Sequence, residues 1–435
     1  MLLAGALLFI GAPRAQPVQS NDDFIRSLAA YIDQSKLAPR ERLGLRIFFD
    51  PNLSEPGGTA CASCHDPRRA FTGNNSTLIG VAQGSRPDQF GTRDAPTAMY
   101  LATVPRFGTI QSDGKRVPAG GVFWDGRADT LEEQAKQPFF NPAEMNNANA
   151  PALIAKVARA EYAAEFRKEW GEKIFDNADA ALDAVAASIA AFERTPVFQP
   201  FTSKFDFVMR GEAKFTEQEQ RGLSLFTIRQ KGNCAQCHTV DTESRDPKKS
   251  LFTDFSYRAL GVARSMRIPK NADAAFVDAG LCERVPVAGV KPGETAPKPV
   301  VSDPAACGLF KTPTLRNITI TAPYMHNGLF DSLREVVAFY ATRDTHPARW
   351  YPQGKKFNDL PARFHANVDV DTPPYQRLPS QRPQLSDTEI DDIVAFLFTL
   401  TDGYNPKRGG IDISGQPSSA PVASKPAPPG SRSDY

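Results

Sequence analysis

The chain has 435 residues, with 51 Lys and Arg against 49 Asp and Glu, a net charge of +2, and 41% hydrophobic and 23% charged residues. That is the make-up of a soluble globular protein with room for two or three domains. It offers no basic excess for nucleic acid or an anionic membrane surface, and no apolar run long enough to span a bilayer in the mature chain.

Leu2 to Ile10 is a short apolar run, followed by Ala12-Pro13-Arg14-Ala15 and then polar sequence. It resembles a secretory signal without the usual basic start, so residues 1–20 are expected to be a signal peptide and the protein periplasmic; the alternative is a frayed cytosolic N-terminus. Asp22–Lys36 and Ala38–Phe49 carry apolar residues at i, i+3, i+4 spacing, the pattern of amphipathic helices, and Pro39 suits a first turn. Next comes Cys61-Ala62-Ser63-Cys64-His65. Pro151–Trp170 and Asp179–Glu193 read as two helices joined by a polar turn. Thr216-x-x-Glu219 opens another helix with a capping box, and this one leads into Cys234-Ala235-Gln236-Cys237-His238. Ser332–Tyr340 and Ser386–Leu400 are the last two clear helices, the latter again with a capping box at Ser386 and Glu389. Strand signals are sparse. Gly73–Ala95, Asp241–Val301 and Thr342–Arg382 read as long loops, and such loops are commonly functional.

Cys-x-x-Cys-His is the attachment signature of c-type haem. Each thiol adds across a vinyl group, and the imidazole of His65 or His238 reaches the iron. An ordinary redox pair or half a zinc site needs no adjacent His. Two such motifs in similar contexts predict a mainly α chain of two cytochrome c-like lobes, each around one covalently bound haem, joined near Thr195–Phe215. The expected domains are 21–205 and 206–404, followed by a disordered tail over 405–435, rich in Pro, Ser and Gly. A haem iron's second axial face decides between electron storage and chemistry. No His or Met lies between His65 and Met99, so the first haem has no local sixth ligand and is expected to be open; a remote ligand is the alternative. Cys282 and Cys307 are left over: in an oxidising compartment they would form a disulfide, and otherwise two free thiols.

The segments Phe123-Trp124-Asp125-Gly126-Arg127-Ala128, Leu131-Glu132-Glu133-Gln134-Ala135, Asn141-Pro142-Ala143-Glu144-Met145 and Thr312-Pro313-Thr314-Leu315-Arg316-Asn317, the last followed by Thr321 to Gly328, resemble the bacterial di-haem cytochrome c peroxidase family, which includes MauG. The resemblance runs from about Ala38 to Tyr404. It implies that Trp124 relays electrons between the haems and that Gln134 and Glu144 line the pocket of the first haem, Glu144 as its acid–base group. It implies that Pro138 packs over the open iron. It also implies a Ca2+ held by Asp94, where the family usually has Asn, and by the backbone carbonyls of Thr321 and Pro323. Two departures point to the MauG-like branch. Val81 stands near the place of a His that blocks the iron in the peroxidases, and Tyr340 occupies the position of the second haem's Met ligand. Met325 and His326 are rival ligands on sequence grounds, and His346 and His365 read as surface residues. The implied activity is reduction of hydrogen peroxide with electrons from a small cytochrome c or copper protein. The alternatives are MauG-like oxidation of a partner protein's residues and electron carriage without turnover.

Overall fold

The computed structural model describes residues 21–411, except 76, 78, 113, 285–302 and 380. The expected signal peptide, and the expected disordered tail from residue 412 onward, lie outside the described residues. The chain is mainly helical. In order the helices are α1 (Asn21–Leu28), α2 (Pro39–Phe48), α3 (Cys61–Cys64), α4 (Leu131–Phe140), α5 (Ala150–Val157), α6 (Ala163–Trp170), α7 (Ala178–Glu193), α8 (Lys204–Met209), α9 (Glu217–Thr227), α10 (Leu333–Thr342), α11 (Pro347–Trp350) and α12 (Asp387–Phe398). The few strands make antiparallel pairs: β1 (Gly108–Ser112) with β2 (Lys115–Ala119), β3 (Tyr257–Arg258) with β4 (Phe310–Lys311), and β5 (Tyr404–Asn405) with β6 (Gly410–Ile411).

Each Cys-x-x-Cys-His motif follows a helix that crosses a later one at close range. α2 crosses α7, and a Cβ added at Gly44 would sit 1.9 Å from the Ser188 carbonyl oxygen. α9 crosses α12, where a Cβ at Gly222 would sit 2.0 Å from the Asp392 carbonyl oxygen. Only glycine lets the two backbones of each crossing approach this far. The capping boxes hold α9 and α12 as the sequence predicts: Glu219 N–H donates to Thr216 Oγ1 at 3.2 Å and Glu389 N–H to Ser386 Oγ at 3.3 Å.

Most of the apolar core lies in two large clusters, one built from residues between Ile25 and Phe198 and one from residues between Phe205 and Leu400, with two small ones beside them. Edge-on and tilted aromatic pairs fill both large clusters, as with Phe48 5.7 Å from Phe192 in the first and Phe226 5.3 Å from Phe396 in the second. Such ring pairs add about 0.5–1.5 kcal/mol each beyond area burial. Contacts join the two halves: Tyr100 Oη donates to Asp402 at 2.7 Å, and the guanidinium of the fully buried Arg316, held by Asp206 at 2.9 Å, lies 4.9 Å from the centre of the Tyr100 ring.

Four expectations need correcting, the first being the single helix expected over Pro151–Trp170, which is broken between Val157 and Ala163 into α5 and α6. The helix expected over Asp22–Lys36 stops at Leu28 and gives way to short 3-10 turns, because the Asp33 side chain accepts from Ser35 N–H at 3.1 Å and fixes a turn there. Residues 405–411 of the expected disordered tail form the β5–β6 hairpin. The β1–β2 hairpin was not expected at all.

Candidate active site

Both motif histidines are set in the same way. His65 Nδ1 lies 2.8 Å from the Phe71 carbonyl and His238 Nδ1 2.9 Å from the Phe252 carbonyl. A carbonyl only accepts, so each Nδ1 carries the proton and each Nε2 keeps its lone pair for a metal. Phe71 (φ 53°) and Phe252 (φ 54°) both take left-handed backbone to present that carbonyl. Burial lowers both imidazole pKa values, which favours the neutral, ligating form. The four motif thiols are unpaired, and burial pushes Cys61 up, Cys64 and Cys234 to about 12, and Cys237 to about 11. Burial thus keeps all four thiols protonated.

The second motif opens on a cavity lined by Cys234, Cys237 and His238 together with apolar side chains such as Phe226, Val337 and Leu397. Tyr340, Met325 and His326 also line it, so all three sequence candidates for a second ligand reach this site. Their surroundings differ. The His326 ring stacks 3.7 Å from Phe310, with Nε2 3.5 Å from Asp359 Oδ2. Tyr340 feels both motif thiols, and burial pushes its pKa up. Apolar walls, two thiols and the His238 imidazole, with Arg258 and Lys311 in the lining, fit a porphyrin and its carboxylates.

At the first motif, α4 carries Gln134 and Pro138 one turn apart on one face. The chain then folds back, Met145 N–H donating to the Pro138 carbonyl at 3.1 Å, and this brings Glu144 to the site. The Glu144 charge acts on both Cys61 and Cys64. Burial raises the Glu144 pKa, while Arg127 and a hydrogen bond to Asn141 oppose the rise. The Asn317 amide donates to the Met99 sulfur at 3.4 Å. Val81 is fully buried.

Trp124 borders the second cavity. Its indole Nε1 donates to the Asp94 carbonyl at 2.9 Å, and its own carbonyl accepts from Lys311 N–H at 2.8 Å. The Asp94 segment runs back towards the residues that follow the first motif: Ala95 forms an isolated bridge with Gly73, and Ala98 N–H donates to the Phe71 carbonyl at 3.1 Å. A buried network fixes the Trp124 loop. Arg93 bonds Asp125 at 2.7 Å and Asp278 at 2.7 Å, and Arg127 bonds Asp125 at 2.9 Å, which together hold Asp125 down at about 2.

Asp94 is buried, its N–H donating to the His326 carbonyl at 2.7 Å. Its carboxylate makes no ion pair among the described residues, and burial pushes its pKa well up, with Arg69 opposing from nearby. Arg69 itself donates to the Ala322 carbonyl. Among the described residues no group of three His, Cys, Asp or Glu side chains stands ready for a metal, so an ion here would lean on carbonyl oxygens. One buried carboxylate among carbonyls suits a hard cation such as Ca2+.

Sequence reasoning left several residues of this region without a role. Arg127 lies inside a quoted motif but showed no sign of acting on Glu144. Lys311, whose Nζ donates to the Gly121 carbonyl at 2.8 Å and whose pKa burial lowers to about 8, lines the second cavity, as does Tyr375. Their long-range placement leaves no local signal. Cys282 and Cys307 are joined as a disulfide. His346 is exposed as expected, while His365 is half-buried and bonds the Leu360 carbonyl at 2.8 Å.

Residues 38–214 match the family model described as di-haem cytochrome c peroxidase. The chain is 37% identical to the methylamine utilization protein MauG of Paracoccus denitrificans over 83% of its own length and 88% of that protein's. It is 31% identical to the cytochrome c551 peroxidase of Nitrosomonas europaea over 69% and 72% of the two chains. Its fold matches the crystal structure of the dihaem peroxidase BthA from Burkholderia thailandensis with a TM-score of 0.77 at 41% identity, covering 85% of this chain and 89% of that one. A tyrosine-to-methionine variant of BthA matches equally well.

Proposed function

The chain belongs to the di-haem cytochrome c peroxidase and MauG family of oxidoreductases, and from that premise we propose that it reduces hydrogen peroxide with electrons from a small cytochrome c or copper protein. Membership implies two covalently bound c-type haems, which when bound supply irons able to receive peroxide and to hold oxidising equivalents. In this reading the N-terminal cytochrome-like lobe attaches one through Cys61, Cys64 and His65, and the C-terminal lobe the other through Cys234, Cys237 and His238, with Tyr340 as second ligand.

Glu144 takes a proton from the near oxygen of peroxide and delivers it to the far one, the general acid–base role for which a carboxyl of raised pKa is suited. Gln134 polarises the departing oxygen and Pro138 shields the open face. Arg127 opposes the rise in the Glu144 pKa, so the carboxylate form remains accessible. Trp124 passes electrons between the two sites. Two electrons and two protons convert each peroxide into two waters. Asp94 and the carbonyls of Thr321 and Pro323 hold a Ca2+ behind Trp124. The Cys282–Cys307 disulfide supports an exported, periplasmic protein.

The observation that carries this reading is that Trp124 bonds the Asp94 carbonyl, in the segment that bridges to Gly73 after the first motif, while lining the cavity of the second. Peroxide consumption by the protein carrying both haems, with and without a reduced small cytochrome, tests it. Donor-dependent consumption is expected; no consumption under either condition overturns it. Two features favour a second reading, oxidation of a protein partner as in the MauG branch: Val81 near the blocking His position, and Tyr340 at the second site. Peroxide consumption that requires a protein substrate and not the donor would select it.

A further inference from the structure

The second cavity holds two phenols. Tyr340 projects from α10, while Tyr375 follows the stiff pair Pro373-Pro374 in the loop beyond. Tyr375 N–H donates to the Thr372 carbonyl at 2.8 Å, which closes the turn that presents its ring. The two rings lie 5.6 Å apart at 29°. Tyr375 is 5% exposed, so its hydroxyl has little access to water and has to find a partner inside the protein. The Tyr340 phenol, whose ring faces it at 5.6 Å, stands as that partner, and the Tyr375 hydroxyl eases the rise that burial gives the Tyr340 pKa.

A fixed cation stands behind this pair. The Arg343 guanidinium carbon lies 4.2 Å from the centre of the Tyr375 ring, and Arg343 is 0% exposed. It cannot swing away: Nη1 donates to the Leu260 carbonyl at 2.9 Å, Nη2 to the Asp369 carbonyl at 2.6 Å, and Nε to Asp344 at 3.0 Å. A cation against a phenol ring makes its O–H a stronger donor and makes removal of an electron from that ring costlier. Both effects suit a phenol that stays reduced and donates.

We propose that Tyr375 is a positioning residue that donates a hydrogen bond to the Tyr340 oxygen and so sets how strongly Tyr340 donates to the second haem iron. The inference rests on the reading that Tyr340 is a ligand. An oxygen ligand that accepts a hydrogen bond gives less charge to its metal, and a more strongly donating anionic ligand stabilises the higher oxidation state. Loss of the Tyr375 hydroxyl therefore lowers the potential of the second haem.

The test uses the protein with both haems attached, in the wild type, Tyr375→Phe and Tyr340→Phe. The readouts are the phenolate-to-iron charge-transfer band and the midpoint potential of the second haem. Tyr375→Phe is expected to keep the band, shift its wavelength and move the midpoint to lower potential, while Tyr340→Phe abolishes the band. If Tyr340→Phe abolishes the band but Tyr375→Phe leaves both band and midpoint at wild-type values, the inference fails and the ligation reading stands. A band that persists in Tyr340→Phe removes the ligation reading and the inference with it. Resonance Raman on the wild type covers the case in which Tyr375→Phe does not load haem: the phenolate vibration should shift in D2O, and an unshifted vibration overturns the hydrogen bond.

Discussion

Glu144→Gln removes a proton carrier and leaves its frame in place. Glutamine has the same length and keeps an oxygen for the bond to Asn141, and the fold-back that fixes this residue is made by the backbone of Pro138 and Met145. General acid–base groups contribute about 10²–10⁴ in rate, or about 2.7–5.4 kcal/mol at about 1.36 kcal/mol per decade. Arg127 remains in the variant, with its charge fixed on Asp125, and continues to polarise the site. A loss near the middle of the range, about 10³ or about 4 kcal/mol, is therefore expected. The assay is the second-order rate of the peroxide step by stopped flow, with circular dichroism as a check that the fold is kept. The wild-type rate should also fall on the acid side, because Glu144 accepts a proton only when ionised. Burial raises its pKa from the ordinary 4.5, so that fall should begin at a higher pH than for an ordinary carboxylate, and the Gln variant should lack it. A variant rate within threefold of wild type, with the same acid limb, would refute the role.

The first haem should bind cyanide in the fully oxidised protein, since no His or Met follows His65 before Met99. Binding only after partial reduction would reveal a sixth ligand. Glu193 is 6% exposed with its pKa pushed up to about 8, chiefly by burial, with Glu132 adding and Arg194 opposing. A carboxyl raised in the fold keeps its proton there while the unfolded chain loses it, so stability falls as pH climbs from 4.5 to about 8. The ceiling of the penalty is about 5 kcal/mol at about 1.36 kcal/mol per unit. Glu193→Gln should thus leave denaturant stability unchanged at acid pH and raise it by a few kcal/mol at alkaline pH; no alkaline gain would show that the carboxylate finds a counter-charge. Alkylation of the unreduced protein should find Cys282 and Cys307 blocked, and labelling of both would exclude their disulfide.

Local patterns were legible where local chemistry decides. The attachment motifs, the two capping boxes and the helices α2, α7, α9 and α12 all depend on residues within a few positions of one another. α4 was not recognised as a helix, because Pro138 lies inside it; Thr130 caps it all the same, its side chain accepting from Glu133 N–H at 3.2 Å. The β1–β2 hairpin had a readable signal in Asp113-Gly114, with Gly114 at φ 74°, flanked by Thr109, Ile110 and Val117. Residues acting over long sequence separations had no such signal. Arg127 on Glu144, Tyr375 on Tyr340, Lys311 beside Trp124 and the glycine contacts at Ser188 and Asp392 exist only once the two halves have folded.

The central claim is that two haem sites act as one redox unit through Trp124. Stopped-flow spectra of the oxidised protein mixed with one equivalent of peroxide test it most directly, in the wild type and in Trp124→Phe, which keeps an aromatic ring and loses the indole bonded to Asp94. Both haem bands should change in one phase in the wild type. In the variant the first should still respond and the second should lag. A wild type in which only one haem responds, or a variant in which both respond together at the wild-type rate, would contradict the account.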